Sequence, residues 1–266
     1  MSALPKYWCQ LTTLDFKTID PMRAVAVLPL AATEQHGPHL PMSVDTDIVD
    51  AVVKESLKSL TPQAPILIMP TQTIGLSTEH TAFAGTLSLS AQTMLQIGAE
   101  LGESVAKAGI RKLLLFNSHG GNVGLMDLIA RDLRGKHGLL VFSTSWYQLP
   151  LDENVWSDFG AHERRFGVHA GDIETSLMLH IAPDRVRMKE AAHFHSTSEK
   201  RAAKYQILGD GKSAKLGWHI QDYNSCGAVG GANAATPEKG EKILKAAGHK
   251  LSQLFEELVA IDPIHE

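Results

Sequence analysis

Four short apolar runs constrain the fold of this chain more than any other feature of its sequence. Each run is mostly apolar and does not alternate with polar residues, which is typical of strands buried on both faces of a parallel sheet. The predicted strands are residues 24–32, 65–70, 112–117 and 138–144. Because segments of helical periodicity separate these runs, the sequence predicts an α/β fold with helices covering a parallel sheet.

The helical segments alternate regularly with the strands as far as residue 145. They are predicted over residues 47–60, 91–108 and 125–134, where apolar residues recur every three or four positions. Farther along, a glycine-containing loop enters another helix within residues 167–183, and Pro237 suits the first turn of a last helix. No repeat, low-complexity tract or linker interrupts the pattern, so residues 1–266 are predicted to form a single domain.

Composition is that of an ordinary soluble globular protein. The 266 residues are 44% hydrophobic and 20% charged, and the net charge of −4 indicates neither a nucleic-acid groove nor a surface for anionic membranes. The N-terminal residues do not resemble a signal peptide, and the apolar segments are too short to span a bilayer. Cys9 and Cys226 are too few for a disulfide framework, although a single bridge between them stays open. We therefore expect a cytoplasmic protein.

Carboxylates and imidazoles follow two of the predicted strands. Glu34, His36 and Asp45 lie in the loop after the first strand, and His119 lies in a glycine-rich turn after the third. In an open parallel sheet the carboxyl ends of the strands meet along one rim, where ligands bind. Mixed carboxylate and imidazole ligands suit zinc, manganese or iron. The sequence therefore predicts a divalent metal site at this rim.

Other interpretations of these residues stay open. Asp45 or Asp47 could simply cap the helix that follows, and it is also open whether His39 and Asp47 contact a metal or only support its ligands. The glycines beside His119 could bind an anion through backbone N–H groups. The turn lacks both the dinucleotide-binding glycine pattern and the phosphate-binding lysine, so a nucleotide site is disfavoured.

A third segment, HAGDIETS, contributes His169 and Glu174. Glu174 borders the apolar side of the predicted helix, where an unpaired carboxylate is costly and a metal or histidine partner would remove the cost. Alternatively, Glu174 is a surface residue favoured by the helix dipole. Asp172 is the better candidate for the helix cap.

Substrate-binding residues are predicted on the same rim. Ser77, Glu79 and His80 follow the second strand and could hold a substrate or a neighbouring subunit. Trp146 follows the fourth strand and, with Tyr147, could stack on a flat substrate or pack in the core. Four further histidines are predicted to be surface or hydrogen-bonded residues: His162, His193, His195 and His219.

Five segments resemble the creatininase (creatinine amidohydrolase) family of binuclear-metal amidohydrolases. They read EQHGPHLP with DTD, STEHTAFAGT, NSHGGN, HAGDIETS and GAVGGANAATPEKGE, and they occur in order over residues 25–245. The resemblance implies a three-layer αβα sandwich with a mainly parallel central sheet and a homo-oligomer, which is a hexamer in creatininase. It also implies two divalent metal ions per subunit, zinc with zinc, manganese, magnesium or iron.

The family pattern assigns the metal ligands. Glu34, Asp45 and His119 would hold one ion, and His36 would share Asp45 with the other. Gly121 stands where creatininase has a glutamate ligand, and Glu174 is expected to replace it. His169 matches the histidine near the leaving group.

These assignments predict a hydrolase of carbon–nitrogen bonds other than peptide bonds, acting on a small cyclic amide, amidine or formamide. A hydroxide that bridges the two metals would attack the substrate, and His169 would donate a proton to the departing nitrogen. Gly121, with Arg165 or Phe166 in place of a second substrate-framing tryptophan, argues against creatinine itself.

Family members also include deformylases of ring-opened purine intermediates and peptidases of a small peptide precursor. Two further hypotheses stay open: a catalytically silent metal- or ligand-binding scaffold, and a metal-dependent phosphoesterase. The second is weakened by the lack of clustered lysine and arginine residues on the rim loops.

Overall fold

The computed structural model describes residues 6–263 and contains a four-stranded parallel sheet. Its strand order is β2-β1-β3-β4, with β1 at Val25–Leu30, β2 at Ile66–Ile68, β3 at Lys112–Asn117 and β4 at Leu140–Ser145. The two central strands pair along their whole length, from Val25 opposite Lys112 to Leu30 opposite Asn117. All four predicted strands are therefore confirmed, and their carboxyl ends form one rim.

Ten α-helices occur within residues 6–263, and five of them have ten residues or more. They are α1 (Thr13–Phe16), α2 (Val44–Leu57), α3 (Ala91–Lys107), α4 (Val123–His137), α5 (Glu153–Trp156), α6 (Ala161–Phe166), α7 (Asp172–Ile181), α8 (Thr197–Lys204), α9 (Ile220–Tyr223) and α10 (Pro237–Ala260). A small antiparallel pair joins β5 (His193–Phe194) to β6 (Gly230–Gly231). Thr236 caps α10 by accepting a hydrogen bond from the Lys239 N–H, as predicted for a helix starting at Pro237.

The sheet lies between two helical layers. Side chains alternate between its faces: Val25 and Val27 pack with α2, α7 and α10, whereas Ala26 and Leu28 pack with α3 and α4. Every residue of β1 and β3 is buried, which explains why these strands are apolar without alternation. The predicted three-layer αβα sandwich is confirmed.

The fourth strand differs from its prediction as a buried strand. β4 forms the edge of the sheet, and its Phe142 side chain is 39% exposed. A strand at the edge of a sheet can have as many apolar residues in a row as a central strand. The place of a strand in the sheet depends on tertiary packing, which its own sequence does not show.

Helix α10 holds together the helices that carry part of the rim. Gly240 lies against the backbone of Ser176 on α7, and Gly248 packs on Glu55 of α2. A Cβ atom at Gly248 would lie 2.5 Å from Glu55 Cγ, so the absence of a side chain allows the close approach.

Lys112 anchors the other end of α10. This lysine begins β3 and is fully buried, and its Nζ donates to the carbonyls of Leu258 at 2.8 Å, Val259 at 3.0 Å and Ile261 at 2.8 Å. Burial lowers the pKa of the Lys112 amine. The three carbonyls at the helix end compensate the buried ammonium group.

Within residues 6–263 no helix combines the length and apolar character needed to cross a membrane. Cys9 and Cys226 are both exposed and are not bonded to each other. The cytoplasmic location stays a prediction.

Candidate metal centre

The residues singled out on the rim converge on one buried point. Glu34 and His36 lie on the loop after β1, His119 follows β3, and Asp45 and Glu174 lie in the first turns of α2 and α7. His119 Nδ1 is 3.2 Å from Glu34 Oε1 and 3.8 Å from Asp45 Oδ2. His36 Nε2 is 3.9 Å from the same Asp45 oxygen.

Two sets of three ligand atoms share one carboxylate, and a third set of Glu34, His36 and His169 overlaps both. Glu34, Asp45 and His119 form one set, and His36, Asp45 and Glu174 form the other. Within each set the ligand atoms lie within 4.8 Å of one another. Asp45 therefore stands between two positions for a cation, where the family resemblance places a bridging ligand.

Atoms that face this point lack hydrogen-bond partners. Among the described residues, Glu34 Oε2, His36 Nε2 and Asp45 Oδ2 are buried and make no hydrogen bond. A buried polar atom left without a partner costs about 1–3 kcal/mol, more if it is charged. Carboxylate oxygens and imidazole nitrogens are ligands for zinc and manganese. The residues present therefore fit a divalent metal centre.

Backbone carbonyls orient the two imidazoles. His36 Nδ1 lies 3.1 Å from the carbonyl oxygen of Glu34, and His119 Nε2 lies 2.8 Å from that of Leu76. Each of these nitrogens donates its proton to a carbonyl, so the other nitrogen of each ring faces the carboxylates. Metal-binding histidines are typically held in this way.

The charges of the cluster are unbalanced without a cation. Burial and the neighbouring Glu34 raise the pKa of Asp45 well above its usual value, and burial raises the pKa of Glu174. Burial opposes the charge on His119, but Glu34 and Asp45 outweigh it and raise the pKa of His119 to about 10. A divalent cation would favour the ionised carboxylates and the neutral imidazole instead.

His169 lies beside the ligands in a strained loop. Its Nε2 donates to the carbonyl oxygen of Gln35 at 2.7 Å, so its Nδ1, 3.9 Å from Glu34 Oε1, carries the lone pair. The next residue, Ala170, has φ of 54°, the one positive φ outside glycine among residues 6–263, and its N–H donates to Glu174 Oε2. This left-handed residue positions both His169 and Glu174.

The three rim residues after β2 have different positions. His80 Nε2 lies 3.3 Å from Glu34 Oε1, and Glu79 Oε1 lies 3.6 Å from His119 Nε2. Both line the cavity, as expected of substrate-binding residues. Ser77 is fully buried behind His119, with its Oγ 3.3 Å from His119 Nε2. This position suits a role in holding His119 more than a contact with substrate.

A cavity of about 540 Å³ opens onto the ligands. Its aromatic wall contains the predicted Trp146 together with Tyr147, Trp156 and Trp218. The Trp146 indole is buried, and its Nε1 has no hydrogen-bond partner. Trp156 and Trp218 were not predicted, because they come from the irregular region after residue 145, where no periodicity places a side chain.

Gln35 is a second residue that sequence reasoning missed. Its Oε1 accepts from the Gly37 N–H at 2.9 Å, and its Nε2 donates to the Gly227 carbonyl at 2.8 Å and to His80 Nδ1 at 2.8 Å. The two backbone partners fix the orientation of the amide, so His80 carries its proton on Nε2, facing Glu34. Gln35 lies between Glu34 and His36 in an extended segment, so its side chain must point away from theirs. This alternation was the sequence signal that could have identified it.

Comparison with known proteins identifies the family. The family model described as creatinine amidohydrolase matches residues 9–255. The chain therefore belongs to the creatininase family of amidohydrolases. It is 30% identical to the mycofactocin precursor peptide peptidase of Mycobacterium tuberculosis (strain ATCC 25618 / H37Rv) over 83% of this chain and 80% of that protein. It is 32% identical to creatinine amidohydrolase of Pseudomonas putida over 61% of this chain and 66% of that protein.

Solved structures agree with this assignment. A manganese form of creatininase superimposes with a TM-score of 0.74 at 25% identity, covering 95% of this chain and 98% of that one. A zinc–zinc form of a mutant creatininase gives 0.73 at 26% identity, covering 94% and 97%. The fold is thus that of a family with zinc- and manganese-containing structures, and this chain has candidate metal-binding groups.

Proposed function

We propose that this protein is a metal-dependent amidohydrolase that cleaves a carbon–nitrogen bond of a small cyclic amide, amidine or formamide. The observation that carries the proposal is the set of buried, unpartnered atoms of Glu34, His36 and Asp45 beside an aromatic-walled cavity. Family membership supports hydrolysis of a carbon–nitrogen bond.

Two divalent ions would occupy the centre. Glu34, Asp45 and His119 would hold one ion, and His36, Asp45 and Glu174 the other. Zinc is favoured for one position and zinc, manganese, magnesium or iron for the second, and the zinc and manganese forms of creatininase support this choice. When bound, such ions polarise a carbonyl oxygen and lower the pKa of a coordinated water from 15.7 towards about 7.

His169 is the residue assigned to proton transfer. Its Nε2–H is engaged by the Gln35 carbonyl, so Nδ1 is the atom that exchanges protons with the reacting groups. Nδ1 would accept a proton from the attacking water as the water oxygen bonds to the substrate carbon, and would donate that proton to the nitrogen as the carbon–nitrogen bond breaks. Gln35 fixes the ring in the tautomer that this transfer requires.

The aromatic wall supplies substrate binding. Trp218 offers an apolar face to a flat ring, and Trp146, which is buried in the core, forms part of the same wall. Glu79 and His80 also line the cavity, with the His80 ring 6.2 Å from that of Trp218, and complete the polar part of the pocket.

A peptide bond is the second candidate substrate. The mycofactocin precursor peptide peptidase is similar over most of both chains. Gly121 also stands where creatininase has a glutamate. A Cβ atom at this position would clash with the Leu76 carbonyl, His119 and Glu79 Oε1. No side chain can replace the missing glutamate without rearrangement.

Phosphoesters are disfavoured as substrates. The cavity is lined by five carboxylates, of Glu34, Asp45, Glu79, Glu163 and Glu174. The Arg164 guanidinium at the cavity lies 2.6 Å from Glu153 Oε1 and is paired with it. Bound metal ions would balance the carboxylates of Glu34, Asp45 and Glu174, but among the described residues the cavity lining has no unpaired lysine or arginine to hold a phosphate group.

We also propose that the protein is a homo-oligomer, a hexamer by its resemblance to creatininase. The exposed edge strand β4 with Phe142 supports assembly, since unprotected strand edges and apolar patches favour association. Light scattering coupled to size-exclusion chromatography measures the subunit number, and a monomer at all concentrations would contradict the proposal.

Metal analysis tests the proposed function. Protein purified without added metal or a metal-binding tag should contain close to two ions per chain, and the Glu34→Ala and Asp45→Ala variants should lose them. Asp127→Ala, on the exposed side of α4, is the matched control and should keep both ions. The wild type is then assayed against lactams, formamides, short peptides and phosphomonoesters. A protein that binds two metals but cleaves none of these compounds would be a silent scaffold, and one that binds no zinc or manganese would not be a metallohydrolase.

A further inference from the structure

A second group of metal-type ligands lies on the surface, apart from the buried centre. His162, His193 and Glu199 each offer one ligand atom, and these atoms lie within 4.8 Å of one another. His162 Nε2 is 3.3 Å from Glu199 Oε1, and His195 Nδ1 is 3.6 Å from the same oxygen. Histidines predicted to be scattered are thus brought to one place, and His219 is not part of the group.

Local structure explains why two of these histidines project together. In β5 and the residue after it, Phe194 is buried while His193 and His195 are exposed, as expected of alternating side chains. Their ring centroids are 4.4 Å apart, and the His162 ring is 5.1 Å from that of His193. Three imidazoles therefore surround one carboxylate.

Three backbone elements hold these ligands before any ion arrives. β5 pairs with β6, and the Gly231 N–H of β6 donates to Glu163 Oε2 at 2.7 Å, which ties the pair to the helix that carries His162. Glu199 is held at the start of α8 by a capping box, in which its Oε1 accepts from the Ser196 N–H at 2.9 Å. Such preorganisation reduces the entropy lost on binding.

The residue types select a class of ion. One carboxylate can neutralise only one imidazolium, so ion pairing alone does not account for three adjacent imidazole rings. We propose that His162, His193 and Glu199, assisted by His195, form a surface site for a borderline divalent transition metal such as Zn²⁺, Ni²⁺ or Cu²⁺. Imidazole-rich sites prefer these ions to Mn²⁺ or Mg²⁺, which favour oxygen ligands.

The position of this surface site links it to the cavity. His162 precedes Glu163 and Arg164 on α6, and both of these residues line the cavity, as does Val168 shortly after the helix. An ion at the surface site joins α6 to β5 and α8 and therefore stabilises one wall of the cavity. The site does not depend on the proposed amidohydrolase activity.

Equilibrium dialysis against buffered free zinc tests the proposal. The wild type should take up one zinc per chain more than the His162→Ala/His193→Ala variant, and the affinity of the additional site should fall by about tenfold or more in His193→Gln, which removes one ligand. Repeating the dialysis with manganese should show no difference between wild type and variant. His180→Ala/His249→Ala removes two other exposed histidines and should behave as wild type.

The same measurement in an Asp45→Asn background separates the two sites. The additional zinc should persist there, because the surface site shares no ligand with the buried centre. Equal zinc uptake by wild type and the double variant at every free zinc concentration would overturn the proposal. So would an additional site that binds manganese as tightly as zinc. Thermal unfolding without added zinc checks that the variants fold, and His193→Gln decides the question if the double variant does not.

Discussion

His36 Nε2 and Asp45 Oδ2 lie 3.9 Å apart, both buried, and neither has a hydrogen-bond partner. This separation is too long for a hydrogen bond, and yet the two atoms exclude water. A cation between them would satisfy both atoms at once. The pair therefore indicates that the centre is built for its metal-loaded state.

Asp45→Asn should affect the stability of the metal-loaded protein but not that of the metal-free protein. It removes the ligand shared by both metal sets, so metal content should fall for both ions and activity should be lost. Stabilisation by metal, about 2.7 kcal/mol per site when free metal is about 100 times its Kd, should disappear. Metal-free protein should lose little stability, because a buried carboxyl whose pKa is raised is replaced by a neutral amide of the same shape. Calorimetry of both states measures this, and strong destabilisation of the metal-free protein would contradict it.

Metal-free protein should lose stability as pH rises from 7 towards 10. The pKa of His119 is raised from 6.5 to about 10, so its contribution is present below pH 6.5 and is lost as pH rises through its folded value. The raised pKa values of Asp45 and Glu174 also make stability fall as pH rises. These carboxyls keep their protons in the folded state at pH values where the unfolded chain releases them. Urea unfolding at several pH values measures the slope. The metal-loaded protein should show a smaller slope, and equal slopes would argue against coupling between the ions and these groups.

His169→Ala should lower kcat by about 10² to 10⁴ while metal content stays full, the range expected on loss of a proton-transfer group. His180 is an exposed histidine near the end of α7, the helix that follows His169. His180→Ala is the control and should leave kcat unchanged. A kcat within tenfold of wild type, with both metals bound, would remove His169 from proton transfer.

Lys112→Met should destabilise the fold without touching the site. Three carbonyls at the end of α10 lose their buried donor, and a hydrogen bond to a charged group contributes about 1.5–3 kcal/mol net of the hydrogen bonds made with water. We expect a loss of several kcal/mol in the free energy of unfolding and a lower Tm. Lys245→Met, on the exposed face of α10, is the matched control. An unchanged Tm for Lys112→Met would show that water replaces the ammonium group at no cost.

The sheet and the ligand cluster were predictable for a common physical reason. Glu34 and His119 are far apart in sequence, but each follows an apolar strand, and parallel strands place their carboxyl ends on one rim. The topology rule therefore brings the two residues together before any side-chain contact is known. The family resemblance added the pairing of Asp45 with both metal positions, which agrees with the geometry.

Other features could not be predicted, because tertiary contacts alone create them. β5 and β6 have two residues each, too few for a periodic signal, so the convergence of His162 with His193 was hidden. Trp218 reaches the cavity from an irregular segment. Phe142 is exposed on β4, which is an edge strand among the described residues. A local apolar run does not show whether a strand lies at the edge of the sheet.

The packing of α10 has a consequence for biosynthesis. Asp45 and Glu174 lie on α2 and α7, and α10 packs against both helices through Gly248 and Gly240. Residues 237–260 leave the ribosome after all the ligands have done so. The nascent chain therefore exposes its carboxylates and imidazoles before it can hold them in place, and a metal centre made of these residues would form only once synthesis has reached the helix that brings them together.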